Sequence, residues 1–294
     1  MKVLVYGSVN IDRVFSVDHI ILPGETLKST RMSLSAGGKG ANQSVALARA
    51  GSDVWFAGKT GDDAAWIIKT MEEAGVHTEY LCHTDHPNGQ TVIQLDRHKQ
   101  NSIIVLPGSN GEIEQSEIDA VLPHFEEGDC LVLQNEIPHI GYLIDKASEK
   151  NMYIVFNPSP LTDDIPTLPI DKVNLLVVNE IEGASLAGLQ PDADFDEILV
   201  KLEEKYPSTE IVMTVGSKGA YYRFDKDIVF SSGVKVKAVD TTGAGDTFLG
   251  YFLTYKNEGR KIETCLGDAC YAAGIAVSRF GAMQSIPLRS EVDG

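Results

Sequence analysis

The sequence predicts an α/β fold: a doubly wound, mostly parallel sheet flanked by helices, with a small β lid. Three observations carry that prediction. Short, almost continuously apolar runs recur along the chain, as strands covered on both faces require. Helical patterns that stop at glycine fall between them. Two stretches break this alternation with strand-like patterns of their own.

Taken in order, Val3–Tyr6 lies within MKVLVYGSVN, which has no cleavage signal behind it and reads as a first strand rather than a signal peptide. Residues 14–35 alternate like strands around a Pro23-Gly24 turn. The helix Asn42–Ala50 sets Ala41, Val45 and Ala48 on one face and stops at Gly51. After the run Val54–Ala57, the helix Asp63–Ala74 carries Ile67, Met71 and Ala74 on one face and stops at Gly75. Residues 90–106 read as a strand pair, TVIQLD and SIIVL, joined by a charged turn around Arg97–Gln100. Buried strands are expected at Leu131–Leu133, Ile154–Phe156, Leu175–Val178 and Ile211–Val215. Val234–Val239 reads as a further strand-like run, before a helix with Phe248, Tyr251, Phe252 and Tyr255 at i, i+3, i+4 and i+7. The expected division is a core of residues 1–13, 36–89 and 107–294 and a lid of residues 14–35 and 90–106. Ordinary surface hairpins are the plainer alternative for the lid stretches.

With 294 residues, 43% of them hydrophobic, the chain can bury the core of one large α/β domain or two smaller ones. No 20- to 50-residue period repeats, which excludes a solenoid. A net charge of −17 argues against nucleic-acid backbones and anionic membranes as partners. No apolar run reaches the roughly 18 residues of a membrane helix. Cys82, Cys130, Cys265 and Cys270 form neither a CxxC pair nor a zinc pattern, so buried thiols in a reducing cytoplasm are expected. The seven histidines are scattered and carry no assigned role.

The sharpest chemical signal is Asp240-Thr-Thr-Gly-Ala-Gly-Asp-Thr-Phe248. A glycine-rich turn that opens a helix gathers backbone N–H groups and the positive helix end at one spot, an anion hole for a transferring phosphoryl group. Asp246, in the first helical turn, is a capping aspartate on the simpler reading. Flanked by Gly243 and Gly245, it is the better candidate for a base that orients a hydroxyl and takes its proton late. A lid then has a motive, because phosphoryl transfer must exclude water.

Gly37-Gly-Lys-Gly-Ala-Asn42 also opens a helix but lacks the GK[ST] of a Walker A loop. It suits either phosphate or, through Lys39 and Asn42, a polyhydroxy ligand. Gly7-Ser-Val-Asn-Ile-Asp12 lies at the carboxyl end of the first strand, where open α/β sheets bind ligands. Asn10 and Asp12 alternate and offer donors and acceptors to hydroxyls. Glu136 ends a strand at the same edge. Asn179 and Glu182, spaced by three, can hold a hydrated magnesium or simply be solvated. Thr214-Val-Gly-Ser-Lys-Gly219 can border a nucleotide or form a hairpin turn.

The order GSVNID, GGKGAN, LQNE, NPSP, VVNEIE, TVGSKG and DTTGAGDTF resembles the ribokinase-like, or PfkB, carbohydrate kinases over almost the whole chain. PGE at Pro23–Glu25, GGKGAN and SRFGAMQSIP resemble the ribokinase branch. The resemblance implies a Rossmann-like, ribokinase-like fold and an ATP-dependent sugar kinase, with ribose as the first candidate. It implies Asp246 as catalytic base and Gly243, Ala244 and Gly245 as the anion hole. Asn10, Asp12, Gly38, Lys39, Asn42 and Glu136 would hold the sugar. Asn179, Thr214, Gly216, Gly219 and Gly245 would meet the nucleotide, with Glu182 reaching Mg²⁺ through water. Asp240, Thr242, Ala276, Arg279, Gly281 and Ser285 would hold an activating K⁺, several of them through backbone carbonyls. A homodimer through the lid is also implied.

One departure is Gln94, which stands near the lid position where an apolar or aromatic residue is expected over the sugar. If it faces the pocket it could bond a longer or differently substituted sugar. Fructose, a keto-deoxy sugar acid or a nucleoside are the alternative substrates. A sugar acid would require a cation such as Arg13, Arg31 or Arg97. A nucleoside would require an aromatic lid, where Phe15 is the only aromatic residue. From other classes, a non-catalytic sugar-binding regulator would be free to lose Asp246 and its glycines, and a dinucleotide oxidoreductase would require a GxGxxG where GSVNID stands.

Overall fold

The computed structural model describes residues 1–98 and 100–294. Lys99 lies outside the described residues, and with it part of the expected turn around Arg97–Gln100.

The chain begins with β1 (Val3–Tyr6), then β2 (Asn10–Ser16) and β3 (Arg31–Gly37). α1 (Lys39–Ala50), β4 (Val54–Gly61), α2 (Ala65–Glu73) and β5 (Val76–Thr84) follow. β6 (Gly89–Leu95) and β7 (Asn101–Leu106) lead to α3 (Gln115–Val121), β8 (Cys130–Gln134), α4 (Ile140–Glu149) and β9 (Tyr153–Asn157). Next come β10 (Leu175–Asn179), α5 (Glu180–Ala187), α6 (Phe195–Lys205), β11 (Glu210–Thr214), β12 (Gly219–Phe224) and β13 (Asp227–Ser232). The chain closes with α7 (Ala244–Asn257), α8 (Ile262–Val277) and the short α9 (Arg289–Val292). No helix among the described residues is long and apolar enough to cross a membrane.

Among the described residues, nine strands form one sheet in the order β13-β12-β11-β10-β9-β8-β1-β4-β5. It is parallel from β11 to β5, and β12 and β13 add an antiparallel edge. The continuous apolarity of the strands has a direct cause. In β1, Val3 and Val5 enter the core under α1, α2, α7 and α8, while Leu4 and Tyr6 enter the core under α3 to α6. The chain winds outward from β1 in both directions, so the crevice where strand order reverses opens at the carboxyl ends of β1 and β8.

β2, β3, β6 and β7 form a separate four-stranded sheet in the order β3-β2-β6-β7. Its strands begin earlier and end later than the lid stretches read from sequence: β2 starts at Asn10 and β3 runs to Gly37. The register pairs Asp12 with Thr91 and Phe15 with Gln94. Side chains alternate across a sheet, so Asn10, Asp12, Thr91 and Ile93 share one face and Gln94 lies on the other. Gln94 does not face the side that carries Asp12; its Oε1 accepts the Ile21 N–H at 2.9 Å.

The expected strand at Val234–Val239 is a correction. Residues 233–239 are irregular and pair with no neighbouring strand. Val234 and Val236 remain 37% and 41% exposed, so the V-K-V-K alternation has no sheet to face.

α7 is buried from Asp246 to Tyr255, which explains its apolar residues on all sides. It meets α1 where a Cβ on Gly250 would lie 2.4 Å from Ala46 Cβ. Only glycine permits that approach. One turn towards the N-terminus of each helix stand Asn42 on α1 and Asp246 on α7, and the close crossing brings them within bonding distance.

Candidate active site

The crevice at the carboxyl ends of the strands holds a cavity of about 310 Å³. Its lining includes Lys39, Asn179, Glu182, Thr214, Gly216, Gly243, Ala244, Gly245 and Asp246, all anticipated from the sequence. It also includes Asn157, Ser159, Glu180 and Thr241, which had no predicted role.

Asp246 is 7% exposed. Its Oδ2 accepts Asn42 Nδ2 at 3.1 Å and its Oδ1 accepts Gln43 Nε2 at 2.9 Å. These bonds reach the carboxylate from α1, and the start of α7 has no side-chain cap, so Asp246 does not serve as a capping aspartate. α7 begins at Ala244, so the N–H groups of Gly245 and Asp246 have no acceptor within the helix and add to the positive end of its dipole. Gly243 stands before them with φ +75°.

The GGKGAN loop packs backbone to backbone on the turn after β1. At Gly38, with φ +91°, a Cβ would lie 2.8 Å from both Asn10 N and Ser8 O. Glu136 Oε2 ties the two loops together by accepting Lys39 N at 2.9 Å and the Ser8 hydroxyl. Asn10 is buried, and its Oδ1 accepts Asn110 Nδ2 at 2.7 Å, while Asn110 Oδ1 accepts Val9 N at 3.0 Å. Sequence reading missed Asn110, because nothing near it in the chain signals contact with residues a hundred positions away.

Charge in this half of the site is mostly negative. Burial pushes the Asp12 carboxyl up to about 6; a hydrogen bond from Thr91 lowers it, and the nearby Glu136 and Asp246 raise it further. Burial pushes the Lys39 ammonium down, but the fields of Asp246, Glu136 and Glu182 outweigh that, and its pKa stands above the usual value. Lys39 is therefore a cation held among three carboxylates.

Asn179 and Glu182 form a capping box at the start of α5. Asn179 Oδ1 accepts the N–H groups of Ile181 and Glu182 at 2.9 and 2.8 Å, and Glu182 Oε2 accepts Asn179 N at 2.9 Å. Far from solvated, Glu182 is 8% exposed and lines the cavity. One carboxylate lining this cavity suits magnesium, which keeps several waters and binds through one or two carboxylates plus phosphate oxygens. No group of three or more His, Cys, Asp or Glu among the described residues is placed to hold a bare metal ion.

The residues expected at a potassium site are linked in part. Asp240 Oδ1 accepts Thr242 N at 3.0 Å and Thr242 Oγ1 at 2.7 Å, and its Oδ2 accepts Gly281 N at 3.0 Å. The Ala276 carbonyl accepts Arg279 N at 3.0 Å, and Ser285 Oγ donates to the Ala282 carbonyl at 2.8 Å. The Arg279 guanidinium turns away to Glu291, which leaves its backbone to this region. The donors are oxygens with one formal negative charge, a set that fits a hard monovalent cation.

Gly219 does not join the cavity lining. It has φ +127°, and a Cβ there would lie 2.0 Å from Ser231 O, so its place is the crossing into the β12–β13 hairpin. Gln43 and Gln134, both fully buried, had no predicted role: Gln43 stood in the expected helix Asn42–Ala50 and Gln134 in the LQNE motif. Gln134 Nε2 donates to Gln43 Oε1 at 2.7 Å, and Gln43 Nε2 also reaches Asn157 Oδ1 at 3.2 Å.

Comparison with known proteins agrees with this geometry. The model of the pfkB family carbohydrate kinases matches residues 1–289. A ribokinase of Haemophilus influenzae is 33% identical over 298 residues, covering 98% of this chain and 95% of that relative. The crystal structure of a ribokinase from Cryptococcus neoformans in complex with ADP superposes with a TM-score of 0.86 at 34% identity, covering 99% of this chain and 98% of the other. An Arabidopsis thaliana ribokinase complexed with ribose and ATP superposes with a TM-score of 0.85 at 28% identity, covering 99% and 96%.

Proposed function

This chain belongs to the pfkB family of carbohydrate kinases, phosphotransferases acting on a sugar hydroxyl, and we propose that it transfers the γ-phosphoryl group of ATP to the primary hydroxyl of ribose, giving ribose 5-phosphate. The observation that carries this reading is the buried Asp246 carboxylate at the start of α7, on a cavity shared with Lys39 and Gly243–Gly245.

In this reading Asp246 orients the primary hydroxyl and takes its proton late in transfer. The backbone of Gly243, Ala244 and Gly245 and the helix end stabilise charge on the transferring phosphoryl group. Lys39 adds a positive charge beside it. Asn10, Asp12, Gly38, Lys39, Asn42 and Glu136 hold the sugar hydroxyls. Asn179, Thr214 and Gly216 border the nucleotide. Gly219 supports that border from the start of β12, where its carbonyl accepts Val215 N at 2.9 Å and closes the turn after β11. Glu182 would hold a hydrated Mg²⁺, whose chemistry is to neutralise phosphate charge. Asp240, Thr242, Ala276, Arg279, Gly281 and Ser285 would hold K⁺, which would set the shape of the loop before α7. Residues 14–35 and 90–106 act as a lid over a core of residues 1–13, 36–89 and 107–294.

The charge of the pocket favours a neutral sugar. Asp12, Glu136 and Asp246 would repel a sugar acid, and Lys39 is already surrounded by carboxylates. Arg13 donates to Gln90 on the face opposite Asp12 and Arg97 pairs with Asp18 at 3.2 Å, while Arg31, paired in register with Ser16 on the Asp12 face, stands exposed at the far end of β2. Since Gln94 lies on that opposite face too, it gives no reason to prefer a longer sugar. The ribose in the Arabidopsis relative's structure supports the same choice.

An ADP-release assay with ATP and magnesium against ribose, fructose, sugar acids and nucleosides tests the reading. Ribose is expected to exceed the sugar acids by at least about 100-fold in kcat/KM, with faster turnover in potassium than in sodium salts. A sugar acid or nucleoside as the best substrate would overturn the assignment, and equal rates in the two salts would remove the K⁺ site.

A second copy of the chain is proposed as the partner of the lid. Met32, Leu34, Ile104 and Leu106 share the face of the lid sheet opposite Asp12 and are 50–62% exposed, an apolar area unusual for a solvated surface. Sedimentation is expected to give a dimer that Ile104→Asp converts to monomer; a monomeric wild type would contradict it.

A further inference from the structure

We propose that Gln43 and Gln134 are positioning residues for Asp246, a chain of two amides that fixes the direction in which the carboxylate faces the cavity. The inference rests on the reading of Asp246 as the base.

The direction of the chain is forced. An ionised carboxylate only accepts hydrogen bonds, so the nitrogen of Gln43 must face Asp246 Oδ1, as it does at 2.9 Å. The second N–H of that amide goes to Asn157 Oδ1 at 3.2 Å, and Asn157 Nδ2 donates to the Val177 carbonyl at 2.9 Å. Gln43 Oε1 is thereby turned towards Gln134, whose Nε2 donates to it at 2.7 Å. Gln134 Oε1 ends the chain buried and without a partner, against the backbone of Gly7.

That last atom is informative. A buried acceptor without a partner destabilises a fold, and an apolar side chain of the same shape at position 134 would avoid the loss. Turning the Gln134 amide over would set its oxygen against Gln43 Oε1. Turning both over would set Gln43 Oε1 against the carboxylate. The unpaired end is therefore tied to keeping a donor on Asp246.

Gln43 comes from α1, Gln134 from the end of β8, Asn157 from the end of β9 and Asp246 from α7. With Oδ1 held by Gln43 and Oδ2 by Asn42, the carboxylate cannot turn about its Cβ–Cγ bond. A hydroxyl arriving from the cavity meets an acceptor already aimed, and small errors in such aim cost rate steeply.

Steady-state kinetics of Gln43→Leu, Gln134→Met and the double variant test this. Gln43→Leu is expected to lower kcat by about 10- to 100-fold, with sugar and nucleotide KM within about twofold of wild type. Gln134→Met should lower kcat less, again at unchanged KM. The double variant should be no worse than Gln43→Leu alone, because Gln134 acts only through Gln43. Additive losses, or wild-type kcat in Gln43→Leu, would overturn the proposal. If Gln43→Leu does not fold, Gln134→Met decides by the same split: lower kcat at unchanged KM supports the chain, and wild-type kcat overturns it. Asp246→Asn separates the two readings. Retained turnover there removes the base itself, whereas an inactive Asp246→Asn beside a fully active Gln43→Leu removes only the positioning role.

Discussion

Asp246→Asn is expected to lower kcat by about 10²- to 10⁴-fold, the usual contribution of a positioned base, while ATP binds with its original affinity. The carboxylate is 7% exposed and accepts two amide donors, so its shape is tightly specified. Asparagine keeps that shape but brings an NH₂ group of its own, and one of the donors from Asn42 or Gln43 must then lose its acceptor. The N–H groups at the start of α7 are untouched, which is why nucleotide binding should survive. Single-turnover rates and a nucleotide titration on the same variant check both halves. Wild-type turnover would remove Asp246 from the reaction, and joint loss of turnover and ATP binding would make it a structural residue of the loop.

The second large effect is expected at Asp12. Asp12→Asn should raise the KM for the sugar by about 10- to 100-fold, the loss of charged hydrogen bonds, with kcat changed by less than about threefold. The pH dependence carries a clear sign. Burial, offset in part by Thr91 and reinforced by Glu136 and Asp246, moves this carboxyl from 3.8 to about 6. Below that pH it is protonated and loses acceptor capacity, so sugar KM in the wild type should climb as pH falls through about 6. Asp12→Asn should lack that step. In the ligand-free protein the raised value acts the other way. The folded state holds the proton more tightly than the unfolded one, so the Asp12 contribution to stability is complete below 3.8 and is lost as pH rises through about 6. Thermal unfolding at pH 7.5 should show Asp12→Asn more stable than wild type by roughly 2–3 kcal/mol. A wild-type KM that is flat between pH 5 and 7 would contradict the assignment.

Strands whose two faces both enter a core were readable, because β1, β8, β9, β10 and β11 are apolar at every position between their ends. Val234–Val239 has an equally suggestive pattern, yet no strand lies beside it. Pairing needs a neighbour, and a local pattern does not supply one. The glycine loops were readable for a similar reason: a ligand can approach the free N–H groups of a helix start closely where glycines leave the loop without side chains. Gln134 and Asn157 stand in the LQNE and NPSP motifs, but neither they nor Gln43 carried a local sign of a role. Each is an ordinary polar residue in its own element, and its meaning comes from partners that are about 90 to 200 positions away.

By itself, then, the sequence determined the α/β class, the loops at the carboxyl ends of the strands, and the carboxylate at the start of α7, since periodicity and glycine geometry act over a few residues. Only the tertiary structure decided that Gln94 turns away from Asp12, that Gly219 serves a hairpin, and that two buried amides converge on Asp246. Sheet register and helix crossing set those outcomes, and both are fixed by packing between distant segments.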